Sequence, residues 1–157
     1  MPVKVSAKLN LKGIPDEIKK EMFRKQSEKR AVEASIVEEM VQGRSPVKGK
    51  KWKKYSASYA KKKRGNESDT TPVDMTVTGD LIKSLKLIKQ RNGEFIVKFK
   101  GQAVLARYHD FSGAGKSKVI RRLLPRESGE EFKRSIQKVI DLMITVAVFR
   151  VISRVNK

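Results

Sequence analysis

The chain is 157 residues long and carries 37 lysines and arginines against 17 aspartates and glutamates, a formal net charge of +20. That length suits one domain with a modest core. An apolar fraction of 38% beside a charged fraction of 34% favours a folded protein with a wide polar surface over a membrane protein or a disordered chain. Cysteine is absent, which excludes disulfides, thiolate nucleophiles and cysteine metal sites.

Val3, Val5, Ala7, Leu9 and Leu11 alternate with polar residues, the period-two pattern of a strand with one buried face, so residues 3–11 are predicted to open the fold as a strand. The same stretch lacks the continuous apolar core of a secretory signal. Gly13 and Pro15 break the strand, and residues 16–42 are predicted to form one helix, with Ile14, Ile18 and Met22, then Val32, Ile36 and Met40, at four-residue spacing. Its polar middle, Arg24 to Arg30, is expected to face solvent or a partner, and Gly43 to end it. Glu38-Glu39 and Glu130-Glu131 are expected as solvated helix surface or as partners of helix dipoles.

Between Arg44 and Arg64 lie Lys48, Lys50, Lys51, Lys53, Lys54, Lys61, Lys62, Lys63 and Arg64, with no carboxylate among them. Like charges this dense oppose compaction unless solvent or a polyanion screens them, so these side chains are expected at a surface that meets a partner or DNA. Trp52, Tyr55 and Tyr59 sit among the cations at three-and-four spacing. Base stacking is one role for them, and pinning a short helix to the core is the favoured one. Together with the turn-rich Gly65 to Pro72, the segment is expected to form a basic, flexible insertion at about 44–72 of a single domain spanning 1–157.

Order is expected to resume near Val73, with Thr78 or Asp80 capping a short helix from Leu81. Residues 85–89 and 94–100 flank Arg91-Asn92-Gly93, a hairpin signal that puts Phe95, Val97 and Phe99 on one face. A short helix at 103–108 and a strand at 119–124 follow. Ser128-Gly129-Glu130-Glu131 has the form of a capping box and is expected to open a helix running to about Val155. Phe132, Ile136, Val139, Ile140, Met143, Ala147, Val151 and Val155 form its core stripe, and Leu142, Val146, Phe149 and Ile152 add apolar surface on other sides. That surface is either covered by the first helix and the sheet or used for self-association. The apolar run from Val139 to Ile152 contains Asp141, Thr145 and Arg150 and falls short of the roughly 20 residues that cross a bilayer, so no membrane contact is expected.

Two motifs invite an enzymatic reading and lose it on inspection. Asp110 to Ser117 ends in the Gly-Lys-Ser of a phosphate-binding loop, but Asp110 stands where the first glycine is needed and a strand, not a helix, is predicted to follow. His109 is the only histidine; without cysteine or a second imidazole it makes a poor zinc site, and no nucleophile elbow accompanies it. A structural role is expected for His109, and no catalytic residue, metal or cofactor is assigned.

Several segments in order resemble a known family: Ser45-Pro46-Val47 through Gly49, Trp52, Tyr55-Ser56, Tyr59-Ala60 and Lys63; then Met75 to Leu81 with Ser84-Leu85; then Ala106-Arg107-Tyr108-His109-Asp110 and Arg121 to Arg126. They are similar to the tail completion, or virion morphogenesis, proteins of tailed bacteriophages, small neck proteins that join head to tail, and the resemblance covers residues 14–150. It implies a non-enzymatic ring subunit in the virion neck or tail end, made in the host cytoplasm. The implied partners are further copies of itself, neighbouring neck and tail proteins, and the packaged DNA. The expected fold is α+β, a small mostly antiparallel sheet packed against a long N-terminal and a long C-terminal helix. Ala106 to Asp110 and Thr78 to Leu81 are expected to fix that fold. Lys48 to Arg64 are expected to face partner or DNA, and Leu142, Val146, Phe149 and Ile152 to form the oligomer interface. The alternative is a free-standing basic nucleic-acid-binding protein.

Overall fold

The computed structural model describes residues 5–54, 56–64, 79–113, 118–126 and 129–156. Three strands, β1 (Ser6–Lys8), β2 (Leu85–Lys89) and β3 (Phe95–Phe99), form an antiparallel sheet in the order β1-β3-β2. Around it stand α1 (Asp16–Glu21), α2 (Gln26–Val41), α3 (Ala57–Arg64), α4 (Asp80–Lys83), α5 (Ala103–Arg107) and α6 (Arg134–Val155). The architecture is α+β, as the hydropathy pattern predicts. Among the described residues no helix is long and apolar enough to cross a membrane.

Alternation decides the sheet. Val5, Ala7, Leu9 and Leu11 are buried, as are Leu85, Leu87, Phe95, Val97 and Phe99, while the intervening side chains point away from the core. Ala7 pairs with Val97 and Leu87 with Val97, so small and branched side chains share one row under the helices. The hairpin uses Arg91-Asn92-Gly93 as a three-residue loop. Gly93 N–H donates to the Gln90 carbonyl at 3.0 Å, and Gly93 takes φ +83°, where a side chain would be strained.

The long N-terminal helix is two helices. Met22 turns extended, Phe23 adopts φ +54°, and α2 starts afresh at Gln26. Met22 and Phe23 enter the core instead of continuing the helix, and the Phe23 ring meets Phe95 edge-on at 4.8 Å between centroids. The expected four-residue spacing still holds on both sides of the break, because Met22, Val32, Ile36 and Met40 are all buried. α2 ends in a Schellman motif: Gly43 at φ +67° donates to Met40 O, and Arg44 donates to Glu39 O.

Three further expectations are corrected. Gly79, at φ +69°, occupies the cap of α4 with Asp80 inside the helix, and Thr78 lies outside the described residues. Residues 119–124 form no strand of the sheet. The last helix begins at Arg134, not at Ser128, which lies outside the described residues. Phe132 instead forms an antiparallel bridge with Val47. Ile136, Ile140, Met143 and Ala147 then bury the inner stripe of α6.

Candidate interaction surfaces

The basic segment is anchored at its start. Ser45 Oγ donates to the Arg122 carbonyl at 2.8 Å and accepts from Val47 N–H at 3.1 Å. Lys48 N–H donates to Glu131 O at 2.8 Å, and Lys133 N–H to Pro46 O at 2.9 Å. Trp52 is buried, with its indole N–H also on the Arg122 carbonyl at 3.2 Å. Its core role is therefore the one the structure gives it, although it precedes α3 and does not lie on it. The insertion expected at 44–72 is thus stapled over residues 45–52; Tyr55 and Gly65 to Pro72 lie outside the described residues.

Lys48, Lys50, Lys51, Lys53, Lys54, Lys61 and Lys62 are all exposed. Lys48 pairs with Glu131 at 3.2 Å, and Lys50 approaches Glu130 to 4.0 Å. Lys51, Lys53, Lys54 and Lys62 have no carboxylate partner among the described residues. The side chains of Lys63, Arg64 and Tyr59 lie outside the description.

The Tyr-His-Asp and Arg-Leu-Pro segments meet as a latch. Residues Tyr108–Ser112 form a π-helical turn, whose extra residue per turn carries Asp110 inward. Asp110 is fully buried, and its carboxylate accepts from Leu123 N–H at 2.6 Å, Arg126 Nε at 2.9 Å and Arg122 Nη1 at 3.2 Å. Burial raises its pKa, opposed by the Leu123 amide and the Arg122 guanidinium. Arg122 also pairs with Glu130, and Arg126 lies 3.3 Å from the centre of the Phe111 ring. Within the apolar alternation at 119–124, the Arg121 amide is taken by His109 O and the Leu123 amide by the Asp110 carboxylate. Burial, with the Arg121 guanidinium beside it, pulls His109 down to about 4, so the imidazole is neutral near pH 7. Among the described residues no group of three or more His, Asp or Glu side chains could hold a metal ion.

The predicted apolar face of α6 is open. Leu142, Phe149 and Ile152 are 56%, 65% and 49% exposed, Val146 between them is half-buried, and Val155 extends the surface to the helix end. A second exposed apolar group was not foreseen: Val104 and Tyr108, four residues apart on α5 and the turn that follows, with Leu105. Their spacing opposite the buried Ala106 was the signal.

Glu39, expected as solvated helix surface or a dipole partner, is buried together with two further carboxylates of α2. Glu39 is 6% exposed and receives Arg44 at 2.8 Å, Lys133 at 2.9 Å and Ser135 at 3.1 Å. Glu33 accepts the Leu87 amide at 2.8 Å, which occupies a donor on the β2 edge of the sheet. Glu28, in the polar stretch expected to face solvent or a partner, is buried within the chain against Arg150.

Comparison of the chain with protein-family models, with curated proteins and with solved structures gives no match.

Proposed function

We propose that this chain is a non-enzymatic structural subunit of a tailed-phage neck or tail end, working by surface complementarity within the virion. The observation that carries the reading is the apolar stripe Leu142, Val146, Phe149 and Ile152, presented on the outside of a helix whose other face is fully used by the core. The separate apolar group on α5 supports it. A ring needs two different surfaces that meet head to tail, and α5 and α6 supply two. The ordered series of segments similar to tail completion proteins supports it as well. In this reading Lys51, Lys53, Lys54 and Lys62 face packaged DNA or an acidic neck neighbour.

Sedimentation velocity tests the self-association. The wild-type chain is expected to form species larger than a monomer, and L142E with F149E to remain monomeric at an unchanged melting temperature. Electron microscopy of an intact particle tests the location: density for this chain between head and tail carries the reading, and complete particles formed without the chain overturn it. The exposed lysines also favour a second reading, a free-standing nucleic-acid-binding protein. That reading requires salt-sensitive DNA affinity and absence from purified particles.

A further inference from the structure

A second basic surface, which borders the lysine-rich segment where Lys50 approaches Glu130, lies in a groove of about 1550 Å³ lined by β1, β3, the hairpin loop, the start of α1 and Pro125, Arg126, Gly129 and Glu130. Its lining holds nine lysines and arginines against three carboxylates. All three carboxylates are already engaged: Asp16 with Lys19 at 3.1 Å, Glu94 with Lys8 at 3.0 Å, and Glu130 with Arg122. The groove therefore presents an unneutralised excess of positive charge. Lys12, Lys20, Arg91, Lys98 and Lys100 contribute to it without a carboxylate partner among the described residues.

The sheet register sharpens the point. Lys98 stands on the outward face of β3, directly opposite Lys86 of β2 on one side and Ser6 of β1 on the other. Like charges directly opposed across antiparallel strands destabilise a sheet, and no carboxylate separates this pair. The next outward row, Lys8, Ile96 and Ile88, offers a half-apolar floor beside the cations. Phe95 and Phe99 border the groove but are buried, and no aromatic side chain is on the outward rows given by the register, so stacking on bases has no platform there. A small-molecule pocket typically measures about 300–1,000 Å³, and this groove exceeds that range.

From this we infer that the groove over β1 and β3 binds the phosphate backbone of a nucleic acid, independently of base sequence and through lysines other than those of the segment at 44–64. The inference stands on the groove alone and holds for a neck subunit and for a free-standing protein.

The test is fluorescence anisotropy with a labelled 30-base-pair duplex of mixed sequence, at salt concentrations from 50 to 300 mM. A variant carrying K12Q, K98Q and K100Q is compared with one carrying K51Q, K53Q and K54Q. The groove variant is expected to bind at least about tenfold more weakly near 100 mM salt. Its log–log salt slope should be smaller by about 2 to 3, one for each phosphate contact removed. Removing Lys98 relieves its repulsion with Lys86, so the melting temperature should hold or rise. If it falls instead, lysine acetylation of the wild-type chain decides: duplex must protect Lys12, Lys98 and Lys100. Absence of wild-type binding, an unchanged affinity and slope in the folded groove variant, or no protection of these lysines overturns the inference. Tighter binding of polyglutamate than of the duplex at equal charge also overturns it, in favour of an acidic protein partner.

Discussion

Two buried titratable groups tie the stability of this chain to pH. Burial pushes the Glu39 carboxyl up, but hydrogen bonds from Arg44, Lys133 and Ser135 outweigh it and leave the group at about 2, against an ordinary 4.5. The unfolded chain therefore binds the proton first, and the stability Glu39 contributes above pH 4.5 is lost as pH falls toward 2. His109 acts in the same direction at higher pH. Held down to about 4 from 6.5, it takes up a proton more readily when unfolded, so stability also falls between pH 6.5 and 4. Each shift corresponds to roughly 3 kcal/mol at most, at about 1.36 kcal/mol per unit. Urea unfolding from pH 2 to 8 should show both losses. E39Q should start less stable at neutral pH and approach the wild type as pH falls from 4.5 toward 2, whereas H109Q should flatten the upper window alone. An E39Q curve parallel to the wild type throughout would show that the cluster around Glu39 does not hold the proton off.

At the level of elements, the break between α1 and α2 is governed from α6. Arg150 Nη1 donates to the carbonyl of Glu21, the last residue of α1, at 3.0 Å, and to Glu28 in the first turn of α2 at 3.1 Å. One guanidinium thus satisfies the end of one helix and neutralises a carboxylate at the start of the next. Removing it leaves a buried carboxylate unpaired, so R150M should cost about 3 kcal/mol. Replacing both partners by apolar residues, E28L with R150M, should recover most of that loss. Chemical denaturation of the three proteins checks it, and an R150M chain within about 0.5 kcal/mol of the wild type would refute the clamp. This contact also marks the limit of what the sequence discloses. Alternation near the start and in residues 95–99, the glycine after α2 and the Arg91-Asn92-Gly93 loop are local signals that reappear in the fold, although the strand expected over residues 3–11 spans only Ser6–Lys8. The kink at Met22 to Lys25 depends on a side chain 122 residues beyond Glu28, so no local pattern carries it. The same holds for residues 119–124, whose alternation looks like a strand until Asp110 is known to take the Leu123 amide. The exposed stripe on α6 was legible as surplus apolar surface, whereas its openness required the neighbours' positions.

For the whole molecule, a net charge of +20 and exposed apolar surfaces pull association in opposite directions, and salt separates them. Two copies meeting through Leu142, Phe149 and Ile152 must bring like-charged bodies together. Screening shrinks the range of that repulsion from about 30 Å at 0.01 M to about 10 Å at 0.1 M. Contact between apolar side chains is not weakened by the same salt. Self-association should therefore strengthen as sodium chloride rises from 50 to 500 mM. Nucleic-acid binding obeys the reverse sign, because each phosphate contact releases counterions whose return is favoured by added salt. Sedimentation velocity and duplex anisotropy on one preparation measure both slopes. Opposite signs are expected, with L142E and F149E abolishing the first and leaving the second unchanged. Self-association that weakens with salt would mean that charged groups, not the α6 stripe, hold the copies together.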